Sequence, residues 1–127
     1  MALAKELIVK VDNRPGALAK VGNALREKDV NIIAILAIGR KGITPIHVMV
    51  DDVAAGKTAL EGLGFDVEIR KVVTIELANR PGTLGTTMDR IALKGINIDY
   101  CYYSVTDGKA AFVVLGVGNP SKVQSLL

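Results

Sequence analysis

Two copies of one polar turn carry the chemistry available to this chain. Asn13, Arg14, Pro15 and Gly16 recur as Asn79, Arg80, Pro81 and Gly82, 66 positions on (79 minus 13). A second asparagine follows each first one by 18 residues (31 minus 13, 97 minus 79), giving Asn31 and Asn97. A glycine turn at a helix start exposes N–H groups without helical partners, at the positive end of the helix dipole. A small anion settles at such a place. Glycine also lets a ligand approach the backbone with no Cβ in the way. Asparagine offers a donor and an acceptor, so the set suits a zwitterion with a carboxylate and an ammonium group. The same four residues also make a good turn with no ligand. Proline fixes φ, glycine takes a conformation other residues resist, and asparagine can cap a helix or close an Asx-turn. Residue types alone leave both roles open.

No other cluster competes. His47 is the only histidine, set among apolar residues, and no second histidine or group of cysteines joins it in a metal set. Nor does the sequence show a group to pair with it as nucleophile and base. Cys101 lies between tyrosines and reads as a buried small side chain. Tyr100, Tyr102 and Tyr103 suit packing, with ligand contact as the alternative. Gly82–Gly85 matches the GXXG pattern of a nucleic-acid loop, but it follows a strand instead of joining two helices. Asp51 and Asp52 open a helix, where the dipole favours carboxylates. No catalytic constellation emerges, and no cofactor or metal is implied.

The elements that position the turns repeat with them. At the offset of 66, Leu18 falls on Leu84, Lys28 on Lys94, Ile32 on Ile98, Gly42 on Gly108, Val48 on Val114 and Leu60 on Leu126. A repeat of this length is one supersecondary unit used twice. Leu7, Val9 and Val11 alternate as in a strand. After the turn, Leu18, Val21, Ala24 and Leu25 form a helical stripe. Two β-branched runs follow, 30–39 and 43–50, joined by a hairpin turn at Arg40, Lys41 and Gly42. Asp51 or Asp52 caps a second helix ending near Gly64, and residues 65–71 read as a fourth strand. The order β-α-β-β-α-β is the ferredoxin-like plan.

The second unit repeats it with Leu84, Met88 and Ile91 on its helix and a hairpin at Thr106, Asp107 and Gly108. Asn119 and Pro120 start the last helix, proline being tolerated at its first position. The counterpart of the fourth strand is missing, so either the chain is a piece of a longer one or another unit or chain covers that edge. The expected fold class is α+β: two ferredoxin-like units in tandem, 1–71 and 72–127, tied by one continuous extended segment. Ile32–Ile38 and Ala110–Val117 are apolar on both faces, which implies burial on both sides, by the other unit, a second chain, or both.

Composition removes whole classes. Half of the 127 residues are apolar, which is globular and not disordered. A net charge of +3, scattered and not clustered, argues against nucleic-acid binding. The longest apolar run, Ile32–Gly39, is far short of the ~20 residues of a membrane span. One cysteine allows no internal disulfide and fits a reducing, cytoplasmic setting. Lys5 and Glu6 interrupt any leader-like apolar stretch at the start.

Strand, then Asn-Arg-Pro-Gly-x-Leu, then helix, then Lys-x-Val/Ile-Asn-Ile opening the next strand resembles the ACT domain, twice over nearly the whole chain. That family comprises the small-molecule-sensing modules of amino-acid metabolism, named from aspartate kinase, chorismate mutase and prephenate dehydrogenase. The resemblance implies ligand contacts from Asn13, Arg14, Pro15, Gly16, Ala17, Leu18 and Asn31, and from Asn79, Arg80, Pro81, Gly82, Thr83, Leu84 and Asn97. The serine-sensing member in phosphoglycerate dehydrogenase has a histidine two residues before the first asparagine. Val11 and Leu77 stand there in this chain, which suggests a more apolar ligand.

The resulting expectation is a non-catalytic amino-acid sensor: a homodimer with ligands at unit interfaces, acting on a partner enzyme or pathway. One alternative is a regulatory subunit of a larger enzyme, like the acetolactate synthase small subunit. A remoter one is an RNA-binding βαββαβ module, disfavoured because the chain is only 4% aromatic and bases stack on exposed aromatics.

Overall fold

A computed structural model describes residues 1–105 and 107–126. Thr106, expected in the second hairpin turn, and Leu127 lie outside the described residues. The element order is β1 (Ala2–Asp12), α1 (Ala17–Glu27), β2 (Ile32–Ala37), β3 (Ile43–Val50), α2 (Val53–Glu61), β4 (Val67–Ala78), α3 (Thr83–Ala92), β5 (Tyr100–Val105), β6 (Ala110–Gly116) and α4 (Pro120–Gln124). The α+β class and the twofold use of the ferredoxin-like plan are as the sequence implies. The chain forms two bodies: Lys5–Arg70, and Met1–Ala4 together with Lys71–Leu127.

In the first body, strands run in the order β2, β3, β1, then the first residues of β4. Antiparallel pairing sets Leu7 opposite Val48 and Val9 opposite Ile46. Strand side chains alternate between faces, so Leu7, Val9, Val11, Ile46, Val48 and Val50 share one face. Val21, Ala24 and Leu25 of α1 and Ala59 and Leu60 of α2 close over that face as one core. The Asp52 side chain caps α2, accepting from the Ala55 N–H at 3.0 Å. Asp51 instead accepts from the Asn31 N–H at 3.0 Å.

The second body has its own core of Val73, Ile75, Ile91, Val113, Leu115, Val117 and Val123. Asn119 caps α4, with Pro120 in its first turn. No strand follows α4 among the described residues, as expected. Ala2–Ala4 of β1 stand beside β4 where that strand would lie, and the Thr74 hydroxyl donates to the Ala2 carbonyl at 3.5 Å.

Three expectations need correction. The offset of 66 holds only up to the hairpins. Ala37 pairs with Ile46 and Tyr103 with Val113, so β3 and β6 correspond at 67 (113 minus 46). One extra residue in the second hairpin makes Leu115, not Val114, the counterpart of Val48. A one-residue slip turns a side chain to the opposite face. Second, β6 is largely buried but β2 is not: Ile33, Ile35 and Ile38 are exposed, because β2 is the edge strand of its body. Third, Leu18 and Leu84 leave their expected helical stripes and stand exposed, Leu18 at 51%. Each sits in the first turn of its helix, beyond the reach of the core.

Candidate functional site

Local chemistry builds the two turns in the same way. The Ala17 N–H donates to the Arg14 carbonyl at 3.2 Å, and Gly16 takes φ 87°, ψ −8°. That is the third position of a type II turn, with proline second, where only glycine sits without strain. Gly82 repeats it at φ 91°, ψ −15°, with the Thr83 N–H 3.4 Å from the Arg80 carbonyl. Each glycine is the N-cap of its helix, and no side chain closes the cap. Lys20 and Thr86 donate back to the Gly16 and Gly82 carbonyls, both at 3.0 Å. The N–H groups of Leu18 and Ala19, and of Leu84 and Gly85, reach no backbone carbonyl among the described residues.

The first asparagines do not cap these helices. Asn13 Nδ2 donates to the Arg40 carbonyl at 2.8 Å, and Asn79 Nδ2 to the Gly108 carbonyl at 3.1 Å. Their backbone N–H groups donate to Gly42 and Lys109 of the same hairpins. Each asparagine therefore ties its turn to the neighbouring β-hairpin with one amide N–H and keeps Oδ1 and the second N–H for other partners. The second asparagines lie elsewhere. Asn31 exchanges bonds with Asp51 and borders a separate groove of about 460 Å³ with Arg26 and Asp29. Asn97 Nδ2 donates to Asp99 Oδ1 at 3.2 Å.

Open spaces flank the first turn on two sides. Toward β2 lies a cavity of about 210 Å³ bordered by Asn13, Arg14, Ala17 and Leu18. Its other walls are Val11, Thr44 and Ile46 on the inner strands and Ala37 and Gly39 at the edge. On the opposite side a groove of about 690 Å³ runs past Arg14, Pro15 and Gly16 along Lys20 and Glu27 to Phe65. In the second body a groove of about 570 Å³ follows Arg80, Pro81, Gly82 and Thr83 to Thr86 and Thr87.

Sequence reading missed Ala37, Gly39, Thr44 and Ile46, which belong to no motif. The visible signal is that small Ala37 and Gly39 align with large Tyr103 and Val105 at the offset of 66.

Arg14 Nη2 lies 3.7 Å from Asp12 Oδ2, a loose exposed pair of little net worth. The second copy has Ala78 in place of Asp12. Thr83, where the first copy has Ala17, donates its hydroxyl to the Ala78 carbonyl at 2.8 Å, with the Arg80 carbonyl 3.1 Å away.

Other candidates resolve into structure. His47 has a partner the sequence does not reveal: its Nδ1 lies 3.3 Å from Oε2 of Glu6, which is 0% exposed. Cys101 is exposed, contrary to expectation, because β5 is an edge strand. Partial burial of the sulfur still pushes its thiol pKa up. Tyr100 and Tyr102 stack at 6.4 Å and 10°, while Tyr103 is exposed. Asp107 accepts from the Lys109 and Ala110 N–H groups, which holds its carboxyl below the ordinary range. Among the described residues no three His, Cys, Asp or Glu side chains gather as a metal set requires, and no helix is long and apolar enough to cross a membrane.

A glycine-capped helix start tied to a β-hairpin, twice in ferredoxin-like bodies, defines a tandem of small α+β modules. The sequence matches the family described as an ACT domain pair over residues 1–127, and the chain belongs to that family. Protein BT0572 from Bacteroides thetaiotaomicron has a similar structure: TM-score 0.92, 27% identity, 98% of this chain and 86% of that one. The ligand-free regulatory subunit of aspartate kinase from Thermus thermophilus is similar at TM-score 0.71 and 18% identity, over 99% of this chain and 95% of that one. Its counterpart from Thermus flavus gives 0.66 and 19%, over 98% and 90%. None of the curated proteins matches the chain.

Proposed function

We propose that this ACT domain pair is a non-catalytic sensor that binds an amino acid beside its Asn-Arg-Pro-Gly turns and regulates a partner enzyme of amino-acid metabolism. The observation that carries this reading is the open glycine cap, with the same left-handed glycine in both bodies and N–H groups left over at the helix start. The ligand carboxylate meets those N–H groups and the adjacent Arg14 or Arg80. Asn13 and Asn79 offer Oδ1 to the ammonium, and Asn31 and Asn97 add polar contacts from a neighbouring unit. The protein works as a cytoplasmic homodimer. Regulatory subunits of aspartate kinase share the fold, which makes a biosynthetic enzyme the natural partner class. Binding can shift that partner only if the ligand prefers one arrangement of the sensor over another.

Thermal unfolding with each of the twenty amino acids at millimolar concentration tests the reading, because a ligand of the folded state alone must raise Tm. One amino acid should raise it, and Arg14→Ala with Arg80→Ala should cancel the shift. The arginines are the better variants, since removing Asn13 also cuts the bond to Arg40. A flat response to all twenty would refute the reading.

A further inference from the structure

The two copies of the turn are not equivalent, and the difference identifies the ligand. We propose that the chain holds one amino-acid site, beside the first turn, and that it takes an L-amino acid with a branched aliphatic side chain. This rests on the sensor reading above and adds the ligand class and the copy that binds it.

The cavity of about 210 Å³ on the β2 side of the first turn is the relevant space. It opens to solvent and is small beside the ~300–1,000 Å³ of ordinary ligand pockets, which suits a short side chain. Val11, Leu18 and Ile46 supply apolar walls, Ala17 and Ala37 leave the room between them, and Gly39 makes way for the Asn13 amide at the rim. Thr44 and the rim residues Asn13 and Arg14 are the polar side chains of this lining, so a charged or long polar side chain set against Val11, Leu18 and Ile46 would lose water for few partners in return.

The two polar groups at the rim sort the other end of the ligand. The Asn13 amide spends one N–H on the Arg40 carbonyl, which fixes its orientation and leaves Oδ1, an acceptor that suits an ammonium group. Arg14, tied only loosely to Asp12 at 3.7 Å, suits a carboxylate.

The second body lacks these conditions at the same places. Ala37 pairs with Ile46 in the first body and Tyr103 with Val113 in the second, so Tyr103 occupies the Ala37 position. Val105 replaces Gly39 at the next position on that face. Thr83 replaces Ala17, and its hydroxyl is committed to the Ala78 carbonyl. The groove past Arg80, Pro81 and Thr83 corresponds to the larger groove past Arg14 and Pro15 in the first body, not to this cavity. Two small residues in one copy and two large ones in the other turn a duplicated fold into one binding site and one structural copy.

Titration calorimetry on the full chain with L-leucine, L-isoleucine and L-valine tests this, against L-serine, L-lysine, L-aspartate and L-phenylalanine. One of the three aliphatic amino acids should bind best, at one per chain. Ala37→Tyr should weaken it about tenfold or more, as lost fit in an apolar pocket does, while Tyr103→Ala leaves it unchanged. Both positions lie on edge strands, and unfolding without ligand verifies that each variant is folded. Ala37→Val serves if the tyrosine is not tolerated. Best binding by a charged, hydroxylated or aromatic amino acid overturns the aliphatic class and leaves the sensor reading intact. Two ligands per chain, or indifference to Ala37, overturns the single-site assignment alone. Binding of none of these seven overturns the aliphatic class, and a flat thermal response to all twenty amino acids overturns both readings.

Discussion

Gly16, the cap of α1, and Gly22, inside it, stand six residues apart, yet they answer substitution in opposite directions. Gly16 holds φ 87° with nothing near its missing Cβ, so the cost of a side chain there is backbone strain alone. The left-handed conformation costs an L-residue roughly 1–2 kcal/mol, and Gly16→Ala should lower stability by that amount. Gly22 lies inside the helix with open space and no positive φ. Gly22→Ala should raise stability by about 0.5–1 kcal/mol, the helix-interior penalty of glycine. Urea midpoints at constant slope measure both, and a stabilised Gly16→Ala would contradict the turn geometry. Glu6 and His47 make the second case at this scale. Glu6 is wholly buried against His47 at 3.3 Å, so His47→Ala strips a partner from a buried carboxylate. The expected loss is about 1–3 kcal/mol, the cost of leaving such a group under-satisfied, and a neutral result in the same unfolding assay would remove the pair from the account. No pattern in the sequence joins these residues, because 41 positions separate them and only the strand register brings them together.

Helix ends are legible in the sequence alone, because caps are local. Asp52, Asn119 and Pro120 sit where their chemistry demands. The hairpins are legible in place but not in length. A single extra residue between β5 and β6 shifts every later position by one, and identical valines at 48 and 114 disguise it. At the other end of these strands, a Cβ on Gly116 would run into the Tyr100 ring. Glycine there is what lets the stacked Tyr100–Tyr102 pair lie against β6. The same hairpin has a pH signature. Asp107 has its carboxyl pKa lowered by the Lys109 and Ala110 N–H groups. A depressed folded pKa contributes stability above the unfolded value of about 3.9. That contribution is lost only as pH falls through the lower folded pKa. The Asp107 carboxyl resonance should therefore titrate below about 3.9, and Asp107→Asn should remove that transition. A midpoint at or above the ordinary value would mean the two backbone bonds do not persist in solution.

The duplicated turn tells of two units, because each copy brings its own strand, helix and hairpin with it. How the chain completes its second unit is not written in any local pattern. Complementing a missing strand by residues from the far end of the chain is a long-range event, and MALA carries no mark of it. Met1–Ala4 cluster with Lys71 onward and stand beside β4 where a closing strand belongs. An uncovered strand edge leaves a row of unpaired backbone groups, so these few residues matter beyond their size. Deleting residues 1–4 leaves the first core of Leu7, Val9, Val48 and Leu60 untouched and bares β4 in the second body. Amide exchange should accelerate at Val72–Ile75 and stay slow at Val9 and Val48, because opening free energies vary by cooperative region. The truncated chain should also aggregate at lower concentration than the intact one. Unchanged protection along β4 would show that Met1–Ala4 do not cover that edge, and equal loss in both bodies would show that the first four residues hold the whole fold instead of its second half.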